Sequence, residues 1–178
     1  ISAAPFDDEH AIEEIIIIST RNFRSFEQQP TRIEVLGGEE INEKANMKPG
    51  DIRMLLNEMT GVHVQQTSAT SFNSNIRIHG LSGKYTQLLR DGMPLYGGFS
   101  SGLGLLQIAP LDLHQVEIIK GSNSTLYGGG AIAGLVNLVT KKPGEEPETS
   151  LLFNATSAGG VDISAFNSSQ TNNIGRTV

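Results

Sequence analysis

The sequence contains no cysteine and no tryptophan. Without thiols it has neither a disulfide framework nor a thiolate zinc site, though that count names no compartment. Aromatic residues are only 6% of the chain, too few for the aromatic girdles of a complete membrane barrel. The longest purely apolar run is Ile15-Ile16-Ile17-Ile18, far below the ~20 residues of a membrane-spanning helix. Positive charge is scarce as well. The net charge is −6 and the pI about 5.2, with no basic block to neutralise phosphates, which argues against a nucleic-acid partner.

What is present is glycine and a moderate apolar content. The 178 residues include 20 glycines, and 38% are hydrophobic, enough for one packed domain of ordinary size. Residues 1–22 are polar and acidic around Glu13-Glu14-Ile15-Ile16-Ile17-Ile18-Ser19-Thr20. Four β-branched residues in a row favour a strand, and with no turn or partner strand nearby they are expected to ride on a flexible arm. Arg32 to Leu36 reads as a strand ended by Gly37-Gly38, and Glu39 to Ala45 as a short helix. Pro49 to Met59 is the clearest helix. Ile52, Leu55, Leu56 and Met59 fall on one face, Pro49 and Asp51 suit the first turn, and Gly61 suits the stop.

Short strands follow at Val62 to Gln65, Asn75 to His79, Gln87 to Arg90, Val116 to Ile119 and Leu135 to Thr140, separated by Ser/Thr/Asn/Gly-rich stretches. Asp91-Gly92 before Met93-Pro94 is a strong turn signal. Few helices and many short strands predict an α+β domain on a small mixed β-sheet. After the charged linker Lys141 to Glu148, apolar residues alternate at Leu151, Phe153 and Ala155, then at Val161, Ile163 and Ala165. This predicts a hairpin around Gly159-Gly160 with one greasy face. Each arm approaches the ~9–11 residues of a transmembrane β-strand. The organisation expected is an arm (1–22), a domain (23–142), and a linker with two strands (143–178).

No chemistry-bearing motif stands in its required context. Gly128 to Gly134 leads into a strand and not into a helix N-terminus, so it lacks the geometry that holds a pyrophosphate. His10, His63, His79 and His114 are scattered without metal-ligand spacing, and no nucleophile elbow occurs. The chain is not expected to be an enzyme, and neither a cofactor nor a metal is expected.

Several stretches in order resemble the plug domain of TonB-dependent outer-membrane receptors. Thr60-Gly61-Val62-His63-Val64 after the helix is similar to the family's "PGV.V". Ile76-Arg77-Ile78-His79-Gly80 is similar to "IRIRG", and Leu88-Leu89-Arg90-Asp91-Gly92-Met93-Pro94 to "L.DG.P". Val116 to Gly121, Leu126-Tyr127-Gly128, Ala131, Gly134, Val136-Asn137 and Thr140-Lys141 follow "IEVLKGP.S.LYG..A.GG.INI.TK". Glu13 to Thr20 resembles the TonB box. His79 departs from Arg, Ser122 from Pro and Leu135 from Gly, and the "VVDG" variant of glycan importers is missing.

The resemblance implies the plug of a transporter that gates energy-dependent uptake of a scarce nutrient such as a siderophore, haem or cobalamin. The plug would sit inside the lumen of its own transmembrane β-barrel in a Gram-negative outer membrane, its arm facing the periplasm. Glu14, Ile15, Ile16, Ile17, Ile18, Ser19 and Thr20 would bind the periplasmic domain of TonB, the link to an inner-membrane motor complex. An extended segment offers that partner a row of free N–H and C=O groups. The loops Thr67 to Ser74 and Tyr96 to Ser101 are expected at one end of the sheet. There Phe72, Asn73, Tyr96, Phe99 and Ser100 would meet small-molecule cargo by stacking and hydrogen bonding. Arg77, His79 and Lys120 would lock the plug against barrel carboxylates. The hairpin would be the first two barrel strands. An envelope adhesin or carbohydrate-binding β-domain is the competing reading, separated by whether alternating strands continue beyond Val178.

Overall fold

A computed structural model describes residues 16–17, 24–25, 32–47, 52–68, 70, 73–95, 101–102, 108, 110–122, 124–144, 146–157, 159–171 and 174–177. Near the N-terminus β1 (Ile16–Ile17) pairs antiparallel with β2 (Arg24–Ser25). The expectation that the isoleucine run has no nearby partner strand is thereby corrected. Two residues of ladder form a marginal element, since even a full isolated hairpin is barely stable in water.

β3 (Arg32–Leu36) has the bounds read from the sequence, and α1 (Gly38–Met47) follows it. Glu39 and Glu40 in the first turn and Lys44 near the last complement the helix dipole. α2 (Ile52–Asn57) ends two residues before Met59, where the periodicity placed its end. The Asn57 side chain accepts the Val64 N–H at 2.6 Å, and Gly61 adopts φ 73, which turns the chain into β4 (Val62–Gln66). Ile52, Leu55, Leu56 and Met59 are all buried as the pattern demanded.

β4 pairs with β5 (Ser74–Ile78), burying Val62, Ile76 and Ile78 on one face. β5 stops at Ile78. His79 and Gly80, at φ 51 and 80, form a left-handed turn, so His79 lies past the strand in which it was expected. β6 (Thr86–Arg90) and β7 (Met93–Pro94) form a hairpin through Asp91-Gly92, at φ 51 and 77. Those values suit the tight turns for which Asp-Gly is preferred. β8 (Ser101–Gly102) adds to β5 as the third strand of a small sheet.

The main sheet runs β3-β9-β10-β6-β7, with β9 (Leu113–Lys120) and β10 (Gly134–Thr140) near its centre. Only the β10–β6 pair is parallel, which makes it the mixed sheet expected. Between β9 and β10 lie α3 (Ser124–Tyr127) and a 3-10 turn at Gly128–Ala131. The glycines therefore deliver the chain into a strand. Gly134 has φ 150, and a Cβ there would stand 2.3 Å from the Ile119 carbonyl oxygen, so no other residue fits.

The sheet has two unlike faces. One packs Leu36, Val116, Ile118, Val136 and Leu138 against the α1, α2 and β4–β5 side chains in a single large core. The other holds a smaller cluster of Ile33, Leu89, Ile119 and Leu135. Beyond the linker, β11 (Glu148–Ala155) and β12 (Val161–Thr171) pair as the predicted hairpin. A third strand, β13 (Ile174–Thr177), extends it, so the tail has three strands where two were expected.

Candidate functional site

The Asp91-Gly92 turn is bolted to the end of β10. The Asp91 carboxylate accepts from the Thr140 N–H at 2.8 Å and from its hydroxyl, while the Gly92 N–H donates to Asn137 Oδ1 at 2.9 Å. Two stretches far apart in sequence, Asp91-Gly92 and Asn137 to Thr140, thus become one corner.

Lys120 ends β9 with its side chain only 2% exposed, and its ammonium pairs with the Glu34 carboxylate of β3. The other Glu34 oxygen accepts the Thr60 N–H at 3.2 Å. An ammonium so deeply buried requires a paired carboxylate close by, and within this chain Glu34 supplies it. Arg77 is exposed on β5, directly opposite exposed His63 on β4, and the His79 ring rests near Gly61. These three basic side chains belong to the exposed side of the β4–β5 pair.

Of the residues expected to meet cargo, Asn73 is described and half-buried; Phe72, Tyr96, Phe99 and Ser100 lie outside the described residues. The Asn73 carbonyl accepts both the backbone N–H of Thr67, at 2.8 Å, and its hydroxyl, closing the 67–73 loop at its base. Ser101 pairs with Asn75 and Gly102 with Ser74, so Gly102 stands opposite Ser74 at the end of the small sheet where the 67–73 loop is based. A cavity of about 410 Å³ beside that end is lined by Arg53, Asn57, Glu58, Val64, Gln66 and Ser74. Arg53 donates to the Ser74 hydroxyl at 2.9 Å. Sequence reasoning missed Arg53, for which a basic residue on the polar side of α2 was the sole signal.

Of the box residues, Ile16 and Ile17 are described, paired with Ser25 and Arg24; Glu14, Ile15, Ile18, Ser19 and Thr20 lie outside the described residues. At the other end of the chain, Leu151, Phe153 and Ile163 are 76%, 67% and 69% exposed on one face of the tail, with Val161 and Ile174 beside them. Phe166 and Ser168, on the opposite face, are buried.

Residues 25–135 match the family described as TonB-dependent Receptor Plug Domain. The chain belongs to that family. The plug is 32% identical over 131 residues to the ferric aerobactin receptor of Escherichia coli, covering 74% of this chain and 15% of the relative. It is 29% identical over 86 residues to the vitamin B12 transporter BtuB of Vibrio vulnificus (strain YJ016), covering 48% of this chain and 14% of that protein. The ferripyoverdine receptor of the outer membrane of Pseudomonas aeruginosa, solved with ferripyoverdine bound, superposes with a TM-score of 0.65 at 21% identity, over 86% of this chain and 20% of that one. This last likeness concerns the fold. The plug spans about 15% of the length of these curated relatives.

One further group was missed by sequence reasoning. Glu117 and Asn137, both 0% exposed, lie opposite each other on the smaller-cluster face of the sheet. Glu117 accepts from Gln115 Nε2 at 2.8 Å and from Asn137 Nδ2 at 3.0 Å. A carboxylate within the otherwise apolar run Val116 to Ile119 was the available signal.

Proposed function

We propose that this plug closes the lumen of a TonB-dependent outer-membrane transporter and gates the uptake of a ferric siderophore or a similarly scarce chelate. The observation that carries this reading is the joining of the family's sheet, in one chain, to three strands whose apolar face is exposed while Phe166 and Ser168 on the other face are buried. Strands that are apolar outward and covered inward suit a barrel wall facing lipid. Residues 143–178 are then the linker and first barrel strands, 23–142 the plug and 1–22 the arm. Relatives named for ferric aerobactin and vitamin B12 support an iron chelate or a corrinoid as cargo, met by Phe72, Asn73, Tyr96, Phe99 and Ser100. Arg77 and His79 meet lumen carboxylates of the barrel, while Lys120 is held by Glu34.

In the arm, Glu14 to Thr20 pairs as an added strand with the periplasmic domain of TonB. No observation favours the adhesin reading.

The test is uptake by the full-length receptor in cells lacking their own siderophore and cobalamin receptors. Radiolabelled ferric aerobactin and cobalamin serve as probes. Accumulation of either is expected to vanish when TonB is deleted or when Ile17→Pro removes a backbone donor and fixes φ in the box. Uptake that persists in both backgrounds would overturn the reading.

A further inference from the structure

Resting on that transporter reading, we infer that the sheet face bearing Gln115, Glu117 and Asn137 lines the passage through which an oxygen-rich, hydrated cargo crosses the plug. A plug must open somewhere, and the two faces of its central sheet differ: one belongs to the large apolar core, the other sets a polar row beside a smaller apolar cluster. On one face Val116, Ile118, Val136 and Leu138 join the large core with both helices and the β4–β5 pair. Parting there exposes contiguous apolar surface to water, the most costly way to open a protein. The same face is stapled by Glu34, which holds the Lys120 ammonium and the Thr60 N–H at once.

The alternate residues of the same strands make the other face. Gln115 and Glu117 of β9 lie beside Asn137 of β10, joined by the 2.8 and 3.0 Å hydrogen bonds, and Asn137 reaches the Gly92 N–H. This row of donors and acceptors crosses two adjacent strands and ends at the β6–β7 turn. On opening, each of these groups exchanges a protein hydrogen bond for one to water at little net cost. A lining of amides and a carboxylate then offers a polar solute successive partners, as pore linings do.

Anchoring the turn explains the Asn137 bond to Gly92. It does not account for Gln115, which stands buried beside Glu117 and opposite Val139 of β10. Interiors of ordinary domains dispense with such groups, because an apolar replacement of similar shape is often neutral or stabilising.

The plug sequence has no cysteine, so single thiols can report which face opens. In a cysteine-free full-length receptor reconstituted in bilayers, Gln115→Cys and Asn137→Cys probe the row. Val116→Cys and Val136→Cys probe the apolar face one residue away. A small hydrophilic methanethiosulfonate is expected to label the row at least ~10-fold faster, as local opening through a polar seam would allow. Equal rates, or faster labelling at the valine positions, would overturn the inference. Should Asn137→Cys loosen the turn and misfold, the Gln115 and Val116 pair still decides the comparison.

The ratio is read without TonB or cargo, so it stands apart from the transporter reading. In cells, Gln115→Leu is expected to slow entry of whichever of ferric aerobactin or cobalamin is transported, leaving surface binding unchanged. Wild-type entry rates would reject the passage role. Failure of both probes to enter wild-type cells would count against the transporter reading instead, leaving the labelling ratio to judge the face.

Discussion

The main sheet is buried on both faces, whereas the tail sheet leaves its apolar face exposed. In β10, Leu135, Val136, Leu138 and Val139 are all buried, whereas in β11 and β12 the alternating Leu151, Phe153, Val161 and Ile163 are exposed. Alternation alone therefore fixes which side chains share a face and leaves open what that face meets. In the main sheet the apolar face meets helices and a second sheet. In the tail it meets none of the described elements, while Phe166 on the other face is covered by the plug side of the chain and lies under the Lys141 ammonium, 5.0 Å from the ring centroid. An apolar surface of that kind is tolerated when lipid is the solvent.

The largest effect should come from the main sheet, where packing leaves no slack. Gly134→Val places a branched side chain at φ 150 with its Cβ on the Ile119 carbonyl. The backbone of β9 or β10 must shift, at a cost of about 4 kcal/mol. Chemical denaturation of the chain should show loss of the cooperative transition at 37 °C. A midpoint near wild type would show that the β9–β10 ladder is far more pliable than its register implies.

The tail should answer differently in two solvents. Phe153→Lys is expected to leave the stability of the isolated chain in water within about 0.5 kcal/mol of wild type, because the ring is already exposed. In the full-length receptor in a bilayer it should cost about 3 kcal/mol, the order found for a Lys facing lipid near the midplane. Equal effects in both settings would remove the tail from the membrane and return it to the soluble part of the comparison.

A middle-sized effect is expected at the seam between β3 and β9. Glu34→Ala strands the Lys120 ammonium and frees the Thr60 N–H. Breaking a fully buried pair costs ~3–5 kcal/mol. Because Glu34 is itself one-third exposed, water softens the loss to about 2 kcal/mol. Glu34→Ala with Lys120→Met should recover most of it, as measured by urea midpoints. Failure of the double variant to recover would mean that Glu34 acts through Thr60 alone.

These contrasts also show what a sequence can and cannot disclose. Arg32–Leu36 was legible to the residue because β-branched Ile33 and Val35 alternate with polar residues in a run that ends at two glycines. The apolar face of α2 was legible from spacing, but its end was not, since it depends on Asn57 capturing the Val64 N–H. β13 carries a single aliphatic in Ile-Gly-Arg-Thr, so its pairing with β12 leaves no local signature. Lys120 was placed at the end of its strand correctly, yet Glu34 lies 86 residues away, beyond any local pattern. The Gln115, Glu117 and Asn137 row stayed hidden for a different reason. Periodicity registers how apolar a face is and carries no information on polar groups that satisfy one another. Of the candidate site, β5 was legible to within a residue, whereas the two-residue β8 was not.

The smallest effect is expected where the main domain meets solvent, at the contact between α1 and α2. Lys44 donates to Glu40 one turn earlier at 2.7 Å and also pairs with Glu58 beyond α2. The hydrogen bond with Glu40, then that with Glu58, raises the Lys44 pKa above its ordinary 10.5, against a small opposing effect of burial. A group whose pKa is raised by folding contributes stability below its unfolded pKa and loses it as pH climbs through the folded value. The contribution should therefore be constant from neutrality to about pH 10 and fade above it. Water screens the pair, so the whole effect should be about 0.5 kcal/mol. Lys44→Met should lower the urea midpoint slightly at pH 7, and the difference from wild type should close at strongly alkaline pH. It should shrink likewise in 1 M salt, where the Debye length is about 3 Å. A difference that stays constant across both series would assign Lys44 a packing role through its methylenes, and the α1–α2 contact would then be held by the apolar core alone.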